Sequence, residues 1–503
     1  MNSQAASAVA VVGGGIAGLC AALDLAVGGC AVTLFERGPR PGGKLRQCDD
    51  DTGRPIDAGP TVLTLRGIFS DLFRDAGSDL AEQLELRPLE VLARHAWSPG
   101  ERLDLHADIG ASAAAIGEFA GRREAAGYLR FCADARRAFE TLDANFMRAE
   151  RPSLGSLVAR AGWGGLADLW RLRSFTSLWT ALGDYFHDPR LRQLFGRYAT
   201  YCGSSPFGAP ATLMLVAHAE QAGVWRIPGG MQSLAGALAT LLRSRGATVR
   251  LGTEVAQVHL RRGRVDALEL AGGERVPVGA VIMACDSAAL AGGLFGAEAA
   301  RAVRPIGLAE RSLSAVTWTG SVASSGMPLE HHNVFFSGDY RAEFRALCGA
   351  RALAHDPTVY VCAQDRGPGC EPAAGRAERI LCLVNAPPDG DRHEYHPGEI
   401  QQCLTRTLAT LERCGLRLHA PQRLQPTTPQ DFNRLFPGSG GALYGRATHG
   451  WRAAFRRPGP RTSVAGLYLA GGSTHPGPGL PMAALSGRNA ARCLLQDRDS
   501  MRR

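Results

Sequence analysis

Lysine is almost absent from this chain. Of its 56 basic side chains only Lys44 is a lysine, and the rest are arginine. A coding preference for arginine, as in a GC-rich genome, accounts for such a bias; an arginine-rich surface would also favour an anionic membrane. The net charge of +9 is spread along the chain. No basic block with interleaved aromatics, zinc-ligand spacing or recognition-helix pattern is present, which excludes nucleic acid as a partner. No apolar run approaches the roughly 20 residues of a membrane helix. The chain enters its first apolar strand by Val9, so no signal peptide is expected. C-x-x-C pairs are missing as well. The 13 cysteines are odd in number and scattered, the pattern of reduced thiols in a cytoplasmic compartment. There is no internal repeat and no low-complexity linker.

What is present is globular. The chain has 503 residues, 45% hydrophobic and 20% charged, enough for two or three domains. The densest signal lies over residues 9–36. Residues 9–12 form a continuous apolar run that reads as a buried parallel strand. They feed Gly13-Gly14-Gly15-Ile16-Ala17-Gly18, spaced G-x-G-x-x-G. A helical pattern follows, then an apolar strand over 31–35, then Glu36. Each part has a task in holding a dinucleotide. Gly13 makes the tight turn, Gly15 admits a pyrophosphate and Gly18 lets helix and strand pack closely. The helix start at Ile16 and Ala17 offers N–H groups to phosphates. Glu36, roughly 20 residues on, is placed to accept ribose hydroxyls.

Beyond it, turn formers fill residues 37–44, and Asp57-Ala58-Gly59-Pro60-Thr61 opens another turn. From about 111 to 223 apolar residues recur at helical spacing, as in Tyr128, Phe131, Ala135, Phe139 and Leu142. Gly229-Gly230-Met231 precedes a helix over 233–245. Strand-like runs follow at 248–251, 255–260, 265–270 and 280–284. Alternating strands over 312–321, 358–363 and 380–384, with a helix over 397–414, suggest a mixed sheet. A strand at 466–469 enters a Gly/Pro-rich loop and a helix over 482–495. The predicted fold class is therefore α/β. A Rossmann-type dinucleotide-binding domain is assembled from residues 1–95, 224–305 and 462–503. A mixed α+β substrate-side and membrane-facing domain takes 96–223 and 306–461. The pair His331-His332 is expected at the surface and no metal site is expected, because no carboxylate stands at ligand spacing beside it.

Later motifs separate a nicotinamide enzyme from a flavoprotein. The P-G-G-[KR] loop is Pro41-Gly42-Gly43-Lys44, the D-x-G-P turn is Asp57-Ala58-Gly59-Pro60, and T-H-P-G-x-G-x-P is Thr474 to Pro481. With VVGGGIAGL at the start, these resemble the flavin amine oxidase-like class. Within it they resemble the bacterial carotenoid desaturases of the phytoene desaturase family. The blocks 201–206 and 435–445, with 471–477, resemble the hydroxyneurosporene (methoxyneurosporene) desaturases. That resemblance implies FAD as cofactor and a 3,4 double bond introduced into 1-hydroxy or 1-methoxy acyclic carotenoids. Phytoene desaturase is the alternative, and a flavin amine oxidase the second. One departure stands out: Ser473 follows the Gly471-Gly472 pair, where many relatives carry an acid.

The resemblance implies an FAD site built from Gly13, Gly15, Ile16, Ala17, Gly18, Glu36 and Arg37. Gly43 and Lys44 join it, with Lys44 toward a phosphate, as do Gly59, Pro60 and Thr61. Val255 is expected at the adenine, Gly471 and Gly472 at the pyrophosphate, and Leu480, Pro481 and Met482 at the flavin. His475 is the candidate proton acceptor, against a role bracing its loop; Glu150 and Arg148 are further candidates. The aromatics Trp163, Trp170, Phe175, Trp179, Tyr185 and Phe186 either line a polyene tunnel or pack helices. An apolar substrate implies peripheral association with the inner, photosynthetic membrane of a bacterium.

Overall fold

The computed structural model describes residues 8–150, 175–370, 372 and 375–502. At its centre is β1, Ala8–Val12, whose sequence AVAVV is buried over its last four positions. A strand covered on both faces reads as an unbroken apolar run, and its alternation is visible in what it touches. Val9 and Val11 enter one core with the helices α1 (Ile16–Val27), Gln232–Ser244 and Leu480–Arg502. Ala10 and Val12 enter another with Val258, Val265 and Leu268 of a three-stranded sheet, Val255–Arg261, Arg264–Leu270 and Arg275–Pro277.

β1 is the middle strand of a five-stranded sheet. The order is Leu467–Leu469, Ala280–Met283, β1, β2 (Ala31–Phe35) and Thr248–Arg250, all parallel. Strands from three distant stretches of sequence thus form one sheet. Small residues let α1 meet the C-terminal helix closely: a Cβ on Gly487 would collide with the Ala17 carbonyl oxygen. That helix is longer than the sequence pattern suggests, Leu480–Arg502.

The second layer is a seven-stranded sheet. Its order is Gln425–Thr427, Ser314–Val322, Glu378–Ala386, Val359–Ala363, His332–Phe335, Val91–Ser98 and Glu101–His106. Only His332–Phe335 with Val91–Ser98 is a parallel pair. The boundary expected at residue 95 needs correction. It falls inside Val91–Ser98, whose ladders to both neighbours bind the whole strand into this sheet. One face of the sheet, with Val316, Trp318, Ile380, Cys382 and Val384, packs on the helix Pro397–Arg413. The other presents Thr317, Leu381, Leu383 and Asn385 to a cavity.

Candidate active site

That cavity, about 1270 Å³, lies between the two sheets. Ordinary small-molecule pockets span roughly 300–1,000 Å³, so it has room for more than one ligand. One end is walled by the turn after β1. Gly13, with φ +107°, adopts a backbone conformation that favours glycine, and its N–H donates to Phe35 O at 2.8 Å. A Cβ on Gly15 would make only ordinary contacts, 3.9 Å from atoms of Gly42 and Gly43. A Cβ on Gly18 would collide with the Gly13 carbonyl oxygen. Gly15, Ile16 and Ala17 therefore line the cavity, and Gly18 sits beneath them as the packing glycine. α1 has no side-chain cap, which leaves its first N–H groups for whatever occupies the cavity.

Glu36 lines the same end. Its Oε2 accepts from Gly14 N at 2.6 Å and its Oε1 from Gly38 N at 2.7 Å. Each oxygen keeps a further lone pair for a hydroxyl. Arg37 donates to Arg434 O at 3.0 Å and to Leu435 O. The 41–44 loop is fixed by Gly42 N, which donates to Gly14 O at 2.8 Å. Gly43, Lys44, Gly59, Pro60, Thr61, Val255, Gly471, Gly472, Leu480, Pro481 and Met482 all line the cavity. Asp57, ahead of that turn, accepts from Met231 N at 2.7 Å and from Gln47 Nε2 at 3.0 Å. It ties the two turns together. Ser473, at the position where an acid is frequent, accepts from Ser287 N at 2.9 Å; Gly471 N donates to Ser486 Oγ at 3.1 Å, which leaves the Gly472 N–H for a ligand.

Two cations meet in this part of the cavity. Lys44 donates to Leu443 O and lies 5.4 Å from the centre of the Phe436 ring. Arg457, which the sequence does not single out, donates to Tyr444 O at 3.0 Å and Gly472 O at 3.1 Å. Burial lowers the pKa of Lys44 and pushes that of Arg457 down to about 10, and Asp286 is the carboxylate that opposes both shifts. Two desolvated cations and one acid leave room for further negative charge. A diphosphate between them and the start of α1 fits that balance.

Several expectations need correction. His475 is buried behind the wall: its Nε2 is 2.8 Å from Phe146 O and its ring stands edge-on to Phe146. Burial holds its pKa down to about 4. It braces the 473–479 loop and does not face the cavity. Glu150 pairs with Arg461, and Arg148 Nε donates to Asp143 Oδ2 at 3.0 Å; neither is on the wall. His331 and His332 are buried, not exposed. The first hydrogen-bonds Arg366 O at 2.9 Å and the second Tyr360 OH at 2.7 Å. With Cys362 they bring three ligand-type atoms within 4.8 Å of one another. Of the aromatics, Trp163 and Trp170 lie outside the described residues. Phe175 lines the cavity, Trp179 packs on Phe207, and Tyr185 and Phe186 pack on Phe131.

Beyond the Thr61 turn the wall becomes apolar, with Val62, Leu213, Val216, Leu381 and Leu383, interrupted by Arg197, Tyr201, Glu220 and Tyr360. The two blocks 201–206 and 435–445 meet there. A Cβ on Gly203 would strike the Tyr444 ring, and Tyr444 N donates to Ser312 Oγ at 3.0 Å.

This is the architecture of a flavoprotein: a dinucleotide turn, paired cations and an adjoining apolar chamber in one cavity. The chain belongs to the flavin containing amine oxidoreductase family, whose pattern matches residues 16–495. FAD is the cofactor. Among curated relatives, hydroxyneurosporene desaturase from Rubrivivax gelatinosus is 50% identical over 98% of this chain and 94% of its own length. That from Cereibacter sphaeroides is 43% identical over 97% of both. A 4,4'-diapolycopene oxygenase from Methylomonas is more distant, at 29% over 97% of this chain and 98% of its own length. Among solved structures, an oxidoreductase from Methanosarcina mazei aligns with a TM-score of 0.60 at 15% identity, covering 96% of this chain and 100% of that one. Putrescine oxidase gives 0.57 at 15%, covering 97% and 99%. At that identity they speak for the fold.

Proposed function

We propose that this chain is an FAD-dependent desaturase that introduces a 3,4 double bond into 1-hydroxy or 1-methoxy acyclic carotenoids. The carrying observation is the single cavity that joins the dinucleotide turn at Gly15 to an apolar chamber under Leu381 and Leu383. The near full-length likeness to hydroxyneurosporene desaturases supports the same reading. Desaturation removes a hydride from one carbon and a proton from the next, and FAD when bound supplies the two-electron acceptor that no side chain provides. The protein's part is placement. Gly13, Gly15, the start of α1, Lys44 and Arg457 hold the diphosphate; Glu36, Arg37 and Val255 hold the nucleoside end. The Thr61 turn and the first turn of the C-terminal helix, with Leu480, Pro481 and Met482, enclose the ring. The helix start directs its positive end at the cavity, where negative charge develops on reduction. An amine oxidase would set a lysine against the flavin through water, whereas the one lysine here is held at Leu443 O beside the phosphate end.

The polyene enters from a membrane surface. Among the described residues no helix is long and apolar enough to cross a membrane. A mouth is marked by Phe175, 67% exposed, edge-on to Trp451 at 5.3 Å, with Arg452 stacked 4.8 Å from the Trp451 ring. Aromatic rings and arginine suit a peripheral contact with lipid headgroups.

Expression in a strain that accumulates neurosporene and 1-hydroxyneurosporene tests the function. The expected pigment is the 3,4-desaturated hydroxycarotenoid, demethylspheroidene, with phytoene left unchanged in a strain that makes only phytoene. Coloured products from phytoene alone would replace this reading with phytoene desaturation.

A further inference from the structure

In the apolar chamber, beside Tyr201, stands a guanidinium with no carboxylate in direct contact; the acid on the same wall, Glu220, feels its charge across that tyrosine. Arg197 lines the cavity, and its Nη1 donates to Tyr201 OH at 3.1 Å. Its Cζ sits 5.2 Å from the Tyr201 ring centre and 5.4 Å from that of Tyr360. Among the described residues it makes no ion pair within 4.0 Å, unlike Arg94, Arg190, Arg366 or Arg379, which are all paired with acids. Its two aromatic seats are fixed. Tyr360 OH lies 2.7 Å from both Thr61 Oγ1 and His332 Nδ1. The Tyr201 ring meets Tyr198 edge-on at 5.5 Å, and Tyr198 OH donates to Glu220 Oε2 at 2.7 Å. The cation is therefore held in place, with donors to spare, among tyrosine rings and the buried, uncharged imidazoles of His95 and His332.

A charged donor facing a hydrocarbon chamber is costly unless the ligand brings an oxygen to it. We propose that Arg197, seated on Tyr201 and Tyr360, is the subsite that binds the C1 oxygen of the substrate and selects tertiary alcohols or methyl ethers over plain hydrocarbons. The inference rests on the desaturase reading above. Three points carry it. First, guanidinium only donates. It reads the lone pair common to a hydroxyl and a methoxy group, so one residue serves both. Second, C1 is two bonds from C3, so whatever grips the oxygen must stand beside the reacting carbons. Arg197 does so through Tyr360, whose hydroxyl contacts Thr61 in the turn assigned to the flavin. Third, a hydrocarbon end group seated there leaves the donors of the guanidinium beyond the one on Tyr201 dry and unmet. That penalty is the type that rejects an analogue lacking a hydrogen-bonding group far more strongly than a lost methylene would.

The test uses the flavin-loaded enzyme with Arg197→Met and Arg197→Lys, assayed on 1-hydroxyneurosporene, 1-methoxyneurosporene and neurosporene. In Arg197→Met the ratio of kcat/KM for either oxygenated substrate to that for neurosporene is expected to fall roughly 10- to 100-fold, chiefly through KM. Flavin absorbance stays at the wild-type level, and Arg197→Lys retains an intermediate ratio. An equal loss on all three substrates with full flavin content would overturn the proposal and leave the desaturase reading standing. So would a wild-type enzyme that accepts the alcohol and refuses the methyl ether. A flavin-loaded wild type that turns over none of the three would overturn the desaturase reading itself, and this subsite with it.

Discussion

Glu343 is a carboxyl buried without a cation. Its Oε2 accepts from Thr358 Oγ1 at 2.7 Å and Ser337 Oγ at 2.9 Å, yet burial, reinforced by Asp356, pushes its pKa up to about 7 from 4.5. The folded chain thus holds this proton more tightly than the unfolded chain does. The associated stability is fully present below pH 4.5 and is lost as pH rises through about 7. A shift of this size corresponds to roughly 3 kcal/mol. Buried histidines such as His475 contribute with the opposite sign, so the readout is the difference: the thermal midpoint of Glu343→Gln should gain on that of the wild type as pH rises from 5 to 8. Parallel curves would show that Glu343 does not carry the dependence. Single residues are also where the sequence is least readable. Arg197 and Arg457 stand in a chain with scores of arginines, and nothing local distinguishes a cavity arginine from a surface one. Their roles come from partners far away: Tyr360 for Arg197, and Gly472 and Tyr444 for Arg457. His331 and His332 look solvent-facing for the same reason. Their partners are Arg366 O, in the loop after the neighbouring strand, and Tyr360 on that strand.

The glycines of the first turn allow ligand binding and folding to be separated experimentally. Gly15→Val adds a branched side chain on the cavity wall whose Cβ meets nothing closer than 3.9 Å, so the fold should survive while the pyrophosphate is blocked. Gly18→Ala puts its methyl into the Gly13 carbonyl and should cost several kcal/mol, at least about 3, by strain within the motif. The check is flavin absorbance beside the thermal midpoint. Gly15→Val is expected to lose the first and keep most of the apo-protein's second; a yellow, fully loaded Gly15→Val would refute the placement. This element was legible in advance because burial on both faces writes β1 as an apolar run and the glycines write the turn. Val91–Ser98 was not, because Arg94 and His95 interrupt its apolar pattern. Arg94 is tied to Asp104 at 2.7–2.8 Å and to Glu330 at 3.0 Å, and His95 meets Leu103 O at 3.3 Å, so partners offset the cost of polar residues in a buried strand.

At the scale of the whole molecule, positive charge and an aromatic mouth give an expected membrane behaviour. The protein should sediment with anionic phospholipid vesicles at low salt, less with neutral ones, and less again as ionic strength rises. Phe175→Asp together with Trp451→Ala should weaken vesicle binding without altering flavin content. Equal binding of this double variant would move the entrance elsewhere on the surface. The assembly of one sheet from three stretches was readable in outline, since each stretch carries its own apolar strand. The meeting of both sheets at one cavity was not, because it depends on loops such as 57–61 and 435–445 whose residues gain meaning only through contact.

The scarcity of lysine makes Lys44 a reporter. A reagent that acylates lysine side chains has a single target of that kind here, and it lies on the cavity wall with its pKa lowered by burial, so that its free, nucleophilic form is reached at milder pH. Mass spectrometry of acylated peptides would then score occupancy without any spectrum. Flavin-free protein should be modified at Lys44, flavin-loaded protein should be shielded, and the protected fraction should follow the loaded fraction one for one.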